Sequence, residues 1–189
     1  MPRPKARPAA AVASRARTVV PAAELYGTAH KDGAEAARRA LVPRRAGPSM
    51  VILVVEDEAL VAFVLELALV LAGHQVLGPA ADEGEALRLA GERRPDLALV
   101  DIRLRRGDDG VRLVRALKAR WAVPSLFLSG QTVQARAAGD AGLGLIGKPY
   151  DPDEVVAAVA AVGELLAGRR PGRVPPRLEL FRGWTPYAA

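Results

Sequence analysis

From Met50 to Ala167 the chain alternates short apolar runs with longer stretches in which apolar positions recur at helical spacing. The runs Met50–Val55, Gln75–Leu77, Leu97–Val100, Ser125–Leu128 and Leu143–Ile146 have the length of buried strands. Each precedes a stretch that reads as a helix. The first covers Ala59–Ala72 and is stopped by Gly73, which sits where a left-handed residue is wanted. The second is opened by Asp82 with Glu85 three residues on, the pairing of a capping box. A third runs from about Gly110 to Arg120 and a fourth over Thr132–Asp140. The last start is the best marked, with Asp151 as N-cap, Pro152 as first helical residue and Glu154 as capping partner. Five strand–helix units predict an α/β fold, a doubly wound five-stranded parallel sheet with helices on both faces.

The flanks look different. Residues 1–49 are rich in Ala, Pro and Arg without a sustained period, and read as a basic, disordered extension with at most a short helix around Ala34–Leu41. Met50 falls just before the first strand, and a native start there would leave those residues outside the protein. Residues 168–189 form a basic Pro/Gly/Arg-rich tail too short for a domain, leaving 50–167 as the folded unit. Both tails are expected to be dispensable for folding, because their composition buries too little apolar surface to offset the entropy of ordering.

The formal net charge of +6 changes meaning once it is divided. The N-terminal 49 residues carry ten Lys/Arg and three Asp/Glu, the tail five and one, and the segment between them twelve and seventeen. The folded part is therefore acidic, and the basic surplus lies in the tails. Such tails can touch nucleic acid or an anionic surface without specificity, or stay solvated. No helix-turn-helix, zinc finger or basic zipper occurs in them, so no specific nucleic acid is expected. The absence of cysteine excludes disulfides and thiolate chemistry, and His30 and His74 make no ligand pair. The longest apolar run, Ala59–Ala72, contains Glu66 and is too short to cross a bilayer. Arg15 and Arg17 break the only candidate signal segment, so a cytoplasmic protein without membrane insertion is expected.

Candidate chemistry lies at the strand ends. Glu56-Asp57-Glu58 follows the first run, Asp101 the third, Ser129 the fourth and Lys148-Pro149 the fifth. In an open parallel sheet these positions converge at the C-terminal edge, where ligands bind. Carboxylates, a hydroxyl and a lysine facing one space suit a divalent metal and a phosphoryl group. Taken singly, each residue has an ordinary alternative: a solvated strand-end acid, a turn-forming serine before Gly130, an exposed loop lysine. Glu58 is assigned that ordinary role, as a helix-start acid. The run from Gly142 to Gly147 spells a dinucleotide-type glycine pattern, but its glycines straddle a strand, and Pro149 stands where a phosphate loop needs Ser or Thr.

Together these motifs resemble the receiver domain of bacterial two-component response regulators, from Met50 to about Ala167. The resemblance implies a flavodoxin-like strand order of 2-1-3-4-5 and Asp101 as phosphoacceptor. It implies magnesium held by Asp57 and Asp101 directly, by Glu56 through water, and by the backbone carbonyl of Arg103. Ser129 and Lys148 would bind the phosphoryl group and switch the surface, and the bond before Pro149 is cis in family members. Two departures stand out. The aromatic that usually lies three residues before the lysine is replaced by Leu145, and the loop after Asp101 carries Arg103, Arg105 and Arg106. The first helix is apolar almost all round, which suits a kinase-docking face or burial under a tail or in a weak homodimer.

The resulting expectation is a single-domain response regulator, not an enzyme beyond slow self-phosphorylation and dephosphorylation. It would take a phosphoryl group from a sensor histidine kinase or histidine phosphotransfer protein and act on another, unidentified protein. The alternative is a nucleic-acid-binding regulator working through the basic tails.

Overall fold

The computed structural model describes residues 48–104, 107 and 109–181. The expectations for residues 1–47, including the short helix around Ala34–Leu41, and those for Arg105, Arg106, Asp108 and 182–189 lie outside the described residues.

Strand β1 (Val51–Val55) is followed by α1 (Ala59–Leu71), β2 (Gln75–Ala80), α2 (Glu83–Glu92), β3 (Leu97–Val100) and α3 (Gly110–Trp121). Then come β4 (Ser125–Ser129), α4 (Thr132–Ala137), β5 (Gly144–Gly147), α5 (Pro152–Leu166) and β6 (Leu178–Leu180). The first five strands are parallel and lie in the order 2-1-3-4-5, as expected. The sheet has a sixth strand. β6 pairs antiparallel with β5, so part of the segment read from sequence as a basic tail is built into the fold.

β1, β3 and β4 are buried along almost their whole length because helices cover both faces of the sheet. On one face Ile52, Val54, Leu97, Leu99, Leu126 and Leu128 pack with Leu65 and Leu69 of α1 and Val155, Val159 and Val162 of α5. On the other face Leu53, Val55, Val100, Phe127 and Leu145 pack with α2, α3 and α4. The caps fall where the sequence puts them. Asp82 accepts from the Glu85 amide, and Asp151 with Glu154 closes a capping box behind Pro152. Helix α4 stops at Ala137, short of the predicted Asp140. Its last residues turn instead through Gly139, where a Cβ would stand 3.1 Å from the Arg136 carbonyl oxygen and in ordinary contact with the Phe181 ring.

Candidate phosphoacceptor site

Three site residues lie one position beyond a strand, yet each still belongs to the ladder. The Glu56 amide donates to the Ala80 carbonyl, the Asp101 amide to Val55, and the Lys148 amide to Ser129, at 3.0, 3.0 and 3.1 Å. Their side chains are thus aimed by the sheet rather than by mobile loops. Gly110, at the start of α3, completes the positioning. A Cβ there would meet the Asp101 carbonyl oxygen at 2.1 Å, so only glycine lets the helix close on the strand end.

At the centre of the site Lys148 Nζ donates to Asp101 Oδ2 at 2.6 Å and to Glu56 Oε2 at 2.8 Å. The remaining oxygens are held from the backbone: Glu56 Oε1 accepts from the Glu58 amide, and Asp101 Oδ1 from the Arg103 amide, each at 3.2 Å. Glu56, Asp57 and Asp101 each place a carboxylate oxygen within 4.8 Å of the others. These are hard oxygen donors, the set magnesium prefers. Ser129, 1 % exposed, stands at the end of β4, and its Oγ accepts from the Gln131 amide at 3.1 Å.

The electrostatics follow from burial. Glu56 is almost fully enclosed, and loss of water pushes its carboxyl above the usual value despite the bonds from Lys148 and the Glu58 amide. For Lys148 burial alone would lower the pKa. The bonds to Asp101 and Glu56 outweigh it, so the ammonium is held charged well above its ordinary range. Two carboxylates therefore share one cation.

An open cleft of about 760 Å³ lies over the site, lined among others by Asp57, Asp101, Ser129, Thr132 and Lys148. Glu56 is not part of its wall, whereas Asp57 and its own partner Lys148 are. The bond before Pro149 is cis, as the resemblance implies, and Gly78-Pro79 is cis as well. Leu145 is buried in the core beside β4 and makes no surface of the cleft. Sequence reasoning missed Gln131. With its amide turned to satisfy both ends, its oxygen accepts from the Arg103 guanidinium, joining the loop after β3 to the loop after β4 at the cleft rim. The sequence signal was only its place two residues after Ser129. Tyr150 was missed too. Burial pushes its phenol up to about 12, with Lys148 opposing and Glu56, Asp101 and Glu58 adding, and its hydroxyl has no hydrogen-bond partner among the described residues.

Residues 52–160, more than half of the chain, match the family described as response regulator receiver domain. The chain belongs to that family. Within it, the receiver is 35% identical over 118 residues to the phyllosphere-induced regulator PhyR of Methylorubrum extorquens, covering 58% of this chain and 42% of that protein. It superposes on the response regulator PhyR from Brucella abortus with a TM-score of 0.55 at 26% identity, over 67% of this chain and 54% of the other. The chemotaxis response regulator CheY4 of Vibrio cholerae gives 0.55 at 26% identity, over 61% of this chain and 99% of its own. The chain spans about half the length of the curated relatives it matches. Among the described residues, no helix is long and apolar enough to cross a membrane.

Proposed function

We propose that this receiver accepts a phosphoryl group on Asp101 from a phosphohistidine of a sensor kinase or phosphotransfer protein. Its output would be a changed surface read by another protein in the cytoplasm. One observation carries the reading: Lys148 Nζ bridges Asp101 and Glu56 at 2.6 and 2.8 Å beneath a cleft that also holds Ser129.

Asp101 Oδ attacks phosphorus, the phosphorus–nitrogen bond breaks, and the leaving imidazole keeps the electron pair and takes a proton. The Arg103 amide fixes the carboxylate plane before the attack. Lys148 then transfers one donated bond from the carboxylate to a phosphoryl oxygen, a point charge placed where negative charge gathers. Ser129 donates its hydroxyl to a second phosphoryl oxygen while its Oγ keeps the Gln131 amide, which pulls the 129–132 loop toward Asp101. Receiver domains use magnesium at such an acidic pocket. Asp57, Asp101 and Glu56, with the backbone carbonyl of Arg103 as the resemblance implies, are the residues that would hold it, and it would neutralise like charges as they approach. Beyond slow self-phosphorylation and dephosphorylation no catalysis is assigned.

Several relatives are named as regulators of transcription or as DNA-binding, and two similar solved structures as an anti-anti-sigma factor. Output through a protein partner fits this chain better, because no DNA-binding pattern occurs in its sequence. Incubation with acetyl phosphate and magnesium, followed by mass mapping, tests the reading. Asp101 is expected to carry the label and Asp101→Asn to abolish it; full labelling of that variant would sink the assignment.

A further inference from the structure

Helix α1 has two apolar stripes. Ala62, Leu65 and Leu69 face the sheet and are buried. On the opposite side Leu60, Phe63, Val64, Leu67, Val70 and Leu71 remain between 38% and 76% exposed. At about 100° per residue these six fall within roughly 120° of the helix circumference, in a stripe about 17 Å long. Their spacing of three and four residues is that of a helix-pairing seam. No polar side chain lies in it, and Glu66, the helix's only charge, is half-buried at the margin. A helix apolar all round is ordinarily covered on every side, and the described residues cover only one side of this helix.

Area and charge together indicate the cover. The six side chains leave roughly 600 Å² of apolar surface open, the upper end of what a monomer shows in one patch. Two such stripes in full contact remove about 1,200 Å² from water, which reaches the range of specific interfaces. A stripe without charge offers nothing to an acidic or basic partner. It fits a second helix with an uncharged stripe of equal length, and every other copy of this chain carries one.

The ends of the helix set the orientation. The exposed Glu58 stands at its N-terminal end. At the other end the chain passes through Gly73 to Gln75, whose Oε1 accepts from the exposed Arg93 guanidinium at 2.7 Å. A two-fold axis through the middle of the stripe would set two helices antiparallel. Leu60 would then meet Leu71 of the second copy, and Val64 would meet Leu67. The same axis would bring Glu58 of each copy to the Arg93 end of the other and oppose the helix dipoles. A parallel pair would instead set Glu58 against Glu58.

We propose that the outer face of α1 is a homodimer interface, in which two copies pair antiparallel along the stripe with Glu58 and Arg93 closing both ends. Such a contact uses the same patch on both copies, so it closes at two. It stands independently of the phosphoacceptor reading.

Sedimentation of the full chain is expected to show a monomer–dimer equilibrium, half dimeric at a concentration on the order of 10 µM. Leu67→Glu should raise that concentration about tenfold or more, with the circular dichroism spectrum unchanged. Glu58→Arg and Arg93→Glu should each weaken pairing several-fold. The double variant should restore it, since both contacts are remade with the charges exchanged. Cysteines report the orientation, because the chain has none of its own. A mixture of Leu60→Cys and Leu71→Cys proteins should form the mixed disulfide under oxidation, whereas neither should link to itself. A full chain that stays monomeric at millimolar concentration would overturn the proposal, and so would a dimer that Leu67→Glu leaves intact. Self-linking of Leu60→Cys without the mixed product would rule out the antiparallel pairing. A monomeric chain whose Leu67→Glu variant is labelled slowly by a protein donor, yet normally by acetyl phosphate, would give the face to the donor instead.

Discussion

At the scale of single residues, Lys148 decides how the site works, because one ammonium serves two carboxylates. Its removal has opposite effects on the two ligands. Without the cation, Glu56 and Asp101 would repel each other and attract a metal more strongly, while a phosphoryl group on Asp101, as proposed, would lose its positive contact. Lys148→Ala is therefore expected to keep or tighten magnesium binding and to slow labelling by acetyl phosphate about 100-fold, the scale of losing one preorganised charge donor. Magnesium titration and labelling rates, measured on the same protein, check both halves. Tyr150 gives a second residue-level prediction. Burial pushes its phenol up to about 12 from the ordinary 10.0, so the folded state holds the proton more tightly. That contribution to stability is complete below about pH 10 and is lost as pH rises through 12. The same hydroxyl is buried with no partner among the described residues, so Tyr150→Phe should raise stability near neutral pH by about 1 kcal/mol. It should also flatten the decline between pH 10 and 12, with labelling unchanged; melts across that range decide it. At this scale the sequence was most legible at the strand ends, where Asp101 and Lys148 do come together as expected. It was least legible at Gln131 and Tyr150, whose roles come from what surrounds them rather than from what they are.

At the scale of elements, the parallel strands and their helices were readable because each obeys a local rule: a buried run, a cap, a stop. Strand β6 escaped for the opposite reason. Three residues of alternating Leu-Glu-Leu in a Pro/Arg-rich context carry no sustained period, and only the unpaired edge of β5 gives them a partner. Helix α1 shows what a local rule leaves open. Leu65 and Leu69 point into the core as the spacing predicts, while Leu60, Phe63, Leu67, Val70 and Leu71 remain between 47% and 76% exposed. A patch of that size is more than scattered surface hydrophobes and fits a partner-binding face. Since Phe63 contributes little to the interior, Phe63→Glu should change stability by less than about 0.5 kcal/mol. Labelling by acetyl phosphate should also be unchanged, whereas transfer from a phosphorylated protein donor should slow at least tenfold if the donor docks on α1. Equal slowing with both donors would show that the substitution damages the site and not the docking face.

At the scale of the whole molecule, the boundary drawn from composition at residue 167 cuts through a folded sheet. Entropy arguments mark a segment as dispensable when it has little apolar surface to bury, and for most of 168–177 that holds. Leu178 and Phe181 are the exceptions, one 8% exposed in the core on the α1 and α5 side, the other packed on Phe127 in the core on the opposite side. A short segment thus tacks down both layers across the edge of β5. Burial of the two side chains is worth roughly 3 kcal/mol or more together. Their loss leaves the β5 backbone unpaired along its outer side, the kind of edge that recruits other chains. A protein ending at Gly168 should therefore still unfold cooperatively, but with a melting temperature lowered by about 10 °C, on the usual scale for a domain of this size. It should also show concentration-dependent association beyond that of the full chain. Calorimetry and sedimentation of the two proteins side by side give the answer. A melting temperature unchanged within about 2 °C would mean that β6 contributes almost nothing to the stability of the sheet.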